Sequence, residues 1–406
     1  MHKIELLAPA GNLEKAKIAL LYGADAVYVG GKSFSLRARA SNFDIPDIEE
    51  LCSYAHGLGK KVYVTTNIIP HDEDLDGLDE YLKNLEKAGV NGIITSSLYI
   101  ITEAKRVAPL LERHVSTQTS ITNSSVIDYY KQFDIKRVVL AREDTLEEIE
   151  YIKNHTDIEL EVFIHGGMCA SYSGRCMLSN YMTDRDANRG GCAHSCRWNY
   201  TLYNKDERVN PADSWFNIGS KDLMAIRFIP RLMDIGVASL KIEGRMKSSY
   251  YLATVVGTYR KVIDLYNEKG SITEEEFTYF ENEIAKAENR LTSIGFYNGP
   301  TTINEQLYDM RSEEPTKEYV AFILDYNEET HQALIEQRNY FAPGDLLEVF
   351  GPAINDERFT CGKLIDKETL EELEVARHPL QQIYMEIPFT VHKNDMIRIV
   401  KNKTCK

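Results

Sequence analysis

The feature that most constrains this chain is a rhythm. From Ile4 to about residue 267, short apolar runs alternate with amphipathic stretches, with Gly, Asn and Asp at many of the junctions. Strands are predicted at Ile4–Ala8, Ala26–Val29, 61–65, 92–95, 114–118, 136–140, 160–165 and 238–242. Helices are predicted over 12–21, 47–57, 74–88, 98–109, 123–132, 145–154, 220–234 and 247–267. Local signals set their ends. Asn12 can cap the first helix and Gly23 can end it in a left-handed turn, while Thr145-Leu-Glu-Glu148 reads as a capping box. In the 247–267 helix, Leu252, Val255, Val256, Tyr259, Val262, Ile263 and Tyr266 recur at the spacing of one buried face.

Eight strand–helix units imply a parallel sheet, and their combined length fits a closed (β/α)8 barrel. An open doubly wound sheet is the alternative, weakened because Ala8-Pro9-Ala10-Gly11-Asn12 lacks the glycine pattern of a dinucleotide turn. After an acidic helix over 273–290, a polar junction is expected at 301–317. Short strands at 319–324, 331–337, 346–349, 382–386 and 396–400 then suggest a small β-barrel. The expected division is a barrel over 1–300 with a cysteine-rich loop at 166–200, and a small β-barrel domain over 318–406.

That loop holds four of the seven cysteines, Cys169, Cys176, Cys192 and Cys196, separated by 6, 15 and 3 residues. Cys52, Cys361 and Cys405 have no thiol neighbour in sequence and read as small core residues. The loop thiols lie among Gly, Ser, Asn and Arg, which are poor surroundings for core packing. A disulfide framework is not expected of seven cysteines in a chain that opens without a secretory signal. A metal centre leads. Zinc sites favour two tight Cys pairs, and only Cys192 and Cys196 form one. Four thiolates on an irregular loop suit an iron–sulfur cluster at least as well, and both stay open.

A formal net charge of −15 argues against non-specific coating of nucleic acid, although residues 219–247 and the arginines of the cysteine loop give a locally basic stretch. No apolar run reaches the length of a membrane span and no targeting segment is visible, so a cytoplasmic protein with no membrane partner is expected. In a barrel, reactive groups gather at the C-terminal strand ends. Those positions hold Gly30, Gly31, Asn67, Gln118, Arg142 with Glu143, His165 beside the cysteines, and Glu243 with Arg245. They show no Ser–His–Asp spacing, HExxH or GxSxG pattern.

The run from Glu161 to Ser179, E-x-F-x-x-G-x-x-C-x-x-x-x-G-x-C-x-x-S, resembles the signature of the U32 collagenase-like peptidase family, with Gly167 where that signature prefers Ser or Ala. LLAPAG near the start and SLKIEGRMKS at 239–248 extend the resemblance over nearly the whole chain. It implies a [4Fe-4S] cluster on Cys169, Cys176, Cys192 and Cys196, the fourth ligand being the one that varies in the family. It further implies oxygen-independent hydroxylation, with the tRNA 5-hydroxyuridine subset as the nearest match. That activity would take tRNA as substrate, a prephenate-derived hydroxyl donor as co-substrate and, as a possible partner, a paralogue in a heterodimer. Candidate catalytic residues are then Glu243, Arg245, Arg142, Glu143, His165 and Gln118, with Lys241 joining Arg142 and Arg245 as an anion binder. A peptidase, or a cluster-bearing scaffold for a partner enzyme, is the alternative.

Overall fold

The computed structural model describes residues 4–36, 42–214, 216–287, 290–307 and 319–400. Eight parallel strands form its centre: β1 Glu5–Pro9, β2 Ala26–Gly30, β3 Lys61–Thr65, β4 Gly92–Thr95, β5 Glu112–Val115, β6 Arg137–Val139, β7 Glu159–Gly166 and β8 Ser239–Ile242. Each pairs with the next through β7. Then β8 pairs with both β7 and β1, placing Leu240 opposite Val162 on one side and Leu6 on the other. That double pairing closes the sheet and excludes the open alternative. Apolar residues of the strands and of the helices around them form one continuous core.

The helices start and stop largely where their caps dictate. The Asn12 side chain accepts from Lys15 N, and Thr145 with Glu148 closes a reciprocal capping box. Three predicted spans need correction. The 74–88 span is broken by Gly77 (φ 78°) into a 3-10 turn, Asp72–Leu75, and a helix, Leu78–Lys87. The predicted helix at 220–234 opens instead as a short strand, Asp222–Met224, antiparallel to the end of β7. Its helix begins only at Ile229, with Pro230 in the first turn, where a missing N–H costs nothing. The tail of the predicted 114–118 strand turns at Ser116 into a 3-10 turn, Thr117–Thr119, aiming Gln118 at the barrel mouth rather than along the sheet.

One layer of the barrel interior is ionic. Glu161 is fully buried and accepts from Lys241 Nζ at 2.6 Å and Arg137 Nη1 at 3.1 Å. Arg137 also reaches Glu5 at 2.5 Å and Glu159 at 2.9 Å, and Tyr63 and Ser239 donate to Glu5 at 2.9 and 3.0 Å. Burial alone would raise the Glu161 carboxyl, but Lys241 and Arg137 outweigh it and hold the group down to about 2.

The strands of residues 319–400 form a curled, antiparallel eight-stranded sheet with its own core. Glu357–Thr360, Leu364–Asp366 and Glu372–Leu373 join the five expected strands. This sheet packs on the barrel's flank. Tyr319 stacks on Tyr250 (centroids 4.8 Å apart), Tyr22 donates to Asn394 O at 2.9 Å, and Arg398 bonds Glu283 at 2.6 Å. Residues 308–317 of the expected junction, and Cys405, lie outside the described residues.

Candidate active site at the barrel mouth

Strand β7 ends at Gly166, whose φ of 103° turns the chain over Glu243, the residue after β8. A Cβ there would stand 2.7 Å from Glu243 O, so glycine is required for the loop to leave in this direction. The loop that follows is clasped rather than free. Arg142 Nη1 donates to Gly167 O and Arg197 Nη2 to Met168 O, both at 3.1 Å. Glu143 accepts from Ser173 N and Oγ at 2.7 and 2.5 Å. Asn188 bonds both the N–H and the C=O of Cys176, and Ser179 Oγ links Gly191 O to Ala193 N.

Under this loop lies a cavity of about 250 Å³ that all four loop cysteines line, each half-buried. Burial pushes the Cys196 thiol up. Arg197 opposes that rise, and Cys169, Cys192 and Cys176 add to it, which shows that the four sulfurs share one neighbourhood. Among the described residues, no three His, Cys, Asp or Glu groups converge as a single metal ion would need. A zinc ion holds its sulfurs about 2.3 Å from one point. A cluster sets each thiolate on a different iron, so the sulfurs stand further apart. Four thiols lining one cavity are a donor set that fits a thiolate-held metal centre of either kind.

The same cavity is lined by Gln118, Arg142, Glu243 and Arg245, together with Asn67 and Lys247. Arg142 lies over the Phe163 ring at 3.9 Å, and its Nε is buried without a partner. Arg197 Nη1 is a second buried guanidinium nitrogen without one. Arg245 is buried, donating to Ser35 Oγ at 3.0 Å, Thr65 Oγ1 at 3.2 Å and Leu36 O. Gly30 leaves the space for it, since a Cβ there would fall 1.8 Å from Arg245 Nη1.

Residues 11–307 match the profile of peptidase family U32, and residues 315–398 that of the family's C-terminal domain. The chain belongs to peptidase family U32. It is 46% identical over 403 residues to tRNA hydroxylation protein P1 of Bacillus subtilis, covering 98% of this chain and 94% of that protein. It is 38% identical over 310 residues to tRNA hydroxylation protein P of Escherichia coli, covering 65% and 68%. It is also 33% identical over 314 residues to a collagenase of Porphyromonas gingivalis, covering 74% of each.

In this U32 chain two candidates stand off the cavity wall. His165 is buried behind it, 3.4 Å from Tyr259 Oη, and burial lowers its ring to about 3, so it is neutral near pH 7. Glu143 acts on the loop through Ser173, as a clamp. Lys241 lines the cavity but is committed to Glu161, and so contributes to the ionic interior layer. The basic stretch expected at 219–247 disperses in the same way. Arg227 pairs with Glu274 and Glu281, Arg231 with Glu150, and Arg189 of the loop with Glu73 and Asp74. Sequence reasoning put Arg197 near the mouth with the other loop arginines but not among the site residues, and it missed His194 and also Arg290, which pairs with Asp222 at 3.4 Å. Their signal was present but weak: both Arg197 and His194 adjoin the last two loop cysteines. Among the described residues no helix is long and apolar enough to cross a membrane.

Proposed function

We propose that this U32 chain is an RNA-hydroxylating enzyme. Its substrate in this reading is the wobble uridine of tRNA, converted to 5-hydroxyuridine without molecular oxygen. Cys169, Cys176, Cys192 and Cys196 hold a [4Fe-4S] cluster, and a prephenate-derived hydroxyl donor serves as co-substrate. The observation that carries this is the cavity itself: four thiols line it together with two guanidiniums, each of which keeps one buried nitrogen without a partner. The names of the Bacillus and Escherichia relatives support RNA hydroxylation as the reaction class.

Bound in this loop, a cluster would supply electron transfer or a Lewis-acidic iron. The chain's own groups do the rest. Arg142 Nε and Arg197 Nη1 are placed to receive a carboxylate oxygen of the donor by charge-assisted hydrogen bonds. Glu243, on the same wall and 3.5 Å from where a Cβ on Gly167 would stand, is placed to hold or move a proton. Arg245 orients the wall by tying the turn after β8 to Ser35 and Thr65. A tRNA substrate places the protein in the cytoplasm, and a second family member is the natural candidate for a heterodimer partner.

The test is mass spectrometry of position-34 nucleosides from a strain lacking its U32 members, with and without this gene. Restoration of 5-hydroxyuridine derivatives, lost again on prephenate starvation, is the expected result. Unchanged nucleosides would reject the reading, and cleavage of gelatin by the purified protein would favour a peptidase.

A further inference from the structure

The cavity lining contains a chain of hydrogen bonds whose direction is fixed from one end. Leu36 N, a backbone donor, bonds Asn67 Oδ1 at 3.2 Å, so Asn67 must present its Nδ2 elsewhere. Asn67 Nδ2 points to Gln118 Oε1 at 3.4 Å. Gln118 therefore turns its own Nε2 away, and among the described residues that nitrogen has no hydrogen-bond partner. Gln118 is only 5% exposed, and it lines the cavity. Its backbone is held by the 3-10 turn Thr117–Thr119 and by Arg175 Nε, which donates to Gln118 O. The free donor lies against the cysteine loop itself: a Cβ on Gly174, two residues before Cys176, would be 3.9 Å from Gln118 Nε2.

An oriented N–H donor that opens into a cavity without a protein partner is placed for an acceptor on a ligand. We propose that Gln118, oriented by Asn67, is the residue that selects uridine over cytidine, by donating Nε2–H to the O4 carbonyl of a pyrimidine flipped into the cavity. This rests on the reading of the protein as a uridine 5-hydroxylase. In that reading C5 must face the thiols, and O4 sits on the carbon next to C5. A donor touching the cysteine loop is thus placed for the one exocyclic group that differs between the two pyrimidines near the reacting carbon. Uridine offers an acceptor there, and cytidine offers the N4 amino donor, which would meet Nε2–H head-on. A cavity of about 250 Å³ admits a single base rather than a folded loop.

Two substitutions reverse the polarity of this position by different routes. Gln118→Glu replaces the donor by a carboxylate. Asn67→Asp leaves Gln118 in place, but its carboxylate can no longer donate to Oε1, so the Gln118 amide turns over and shows an acceptor to the cavity. In the strain lacking U32 members, the wild-type gene must first restore 5-hydroxyuridine at position 34; failure there sinks the underlying function and not this residue's role. Given that restoration, Gln118→Glu and Asn67→Asp should each lower 5-hydroxyuridine at least about tenfold and produce 5-hydroxycytidine in tRNAs with C34. Gln118→Leu should lower the uridine product without making the cytidine product. Iron content and melting temperature of the purified variants separate altered selection from a damaged fold. If Gln118→Glu and Asn67→Asp keep wild-type iron and stability yet neither yields 5-hydroxycytidine, the assignment is wrong. It is equally wrong if all three variants restore 5-hydroxyuridine like wild type.

Discussion

Two buried polar regions of this barrel lie a few residues apart and behave in opposite ways. Inside the barrel, Glu5, Arg137, Glu161 and Lys241 are paired with one another and with Tyr63 and Ser239, and none of the four leaves a polar atom unbonded among the described residues. At the mouth, Arg142 Nε and Arg197 Nη1 keep open valences beside four thiols. Both regions contain charge in low-dielectric surroundings. What differs is closure. A closed network has its Coulomb and hydrogen-bond terms already realised in the fold, so it can only stabilise and specify the barrel. An open one keeps its desolvation cost until a ligand arrives, which marks it as a site. Strands β7 and β8 bridge the two, with Glu161 and Lys241 facing inward and the cysteine loop and Glu243 following at their ends.

The sharpest break between the regions comes from the thiols. Replacing Cys169, Cys176 or Cys192 by Ser should abolish both cluster and nucleoside product while leaving the melting temperature of cluster-free protein unchanged; Cys196→Ser asks whether the fourth ligand is this residue. Next in size is Arg137→Leu, which strands buried carboxylates and should cost about 3–5 kcal/mol in urea or thermal unfolding. A stable, active Arg137→Leu protein would refute the structural role of the inner layer. Arg142→Ala and Arg197→Ala should each weaken use of the hydroxyl donor by about 10–100-fold, the value of a charge-assisted bond of about 1.5–3 kcal/mol. Their stability should stay near wild type, and this is the reverse of the Arg137 result.

Smaller effects concern RNA contact and pH. Arg245 is buried in the wall, whereas Arg175 is exposed and Lys247 lines the mouth, which places these two better for phosphate contact. Lys247→Glu should reduce the slope of log tRNA affinity against log salt by about 0.7–0.9, one phosphate contact. Asp144, beside the mouth, has a buried Oδ2 without a partner; burial, Glu148 and Glu143 raise its carboxyl to about 8. A raised carboxyl favours folding while protonated, and that contribution is lost as pH rises from the unfolded value toward 8. Asp144→Asn should therefore gain stability over wild type progressively between about pH 4 and about pH 8, level off above that, and match wild type at lower pH. Parallel pH curves for the two proteins would contradict the burial of that charge.

The barrel was legible because period and caps repeat eight times, so that an error at one unit, such as the helix expected at 220–234, does not change the count. That helix failed because Asp222–Met224 finds a backbone partner at the end of β7, a long-range pairing with no local trace. The cysteine loop was legible as a cluster of thiols. Which charged residues serve it was not. Lys241, Arg245, Arg142 and Arg197 look alike in sequence, and only three-dimensional pairing distinguishes the committed from the available. His165 misled for the same reason: its strand-end position suggested chemistry, while Tyr251 and Tyr259 enclose it.

The chemistry of the mouth turns on what the four thiols hold. Iron and acid-labile sulfide should be measured on protein purified without oxygen, alongside the Cys176→Ser variant. The expected result is about four iron and four sulfide per wild-type chain, and neither in the variant. Stoichiometric zinc in wild type, with no iron or sulfide after reconstitution, would contradict it.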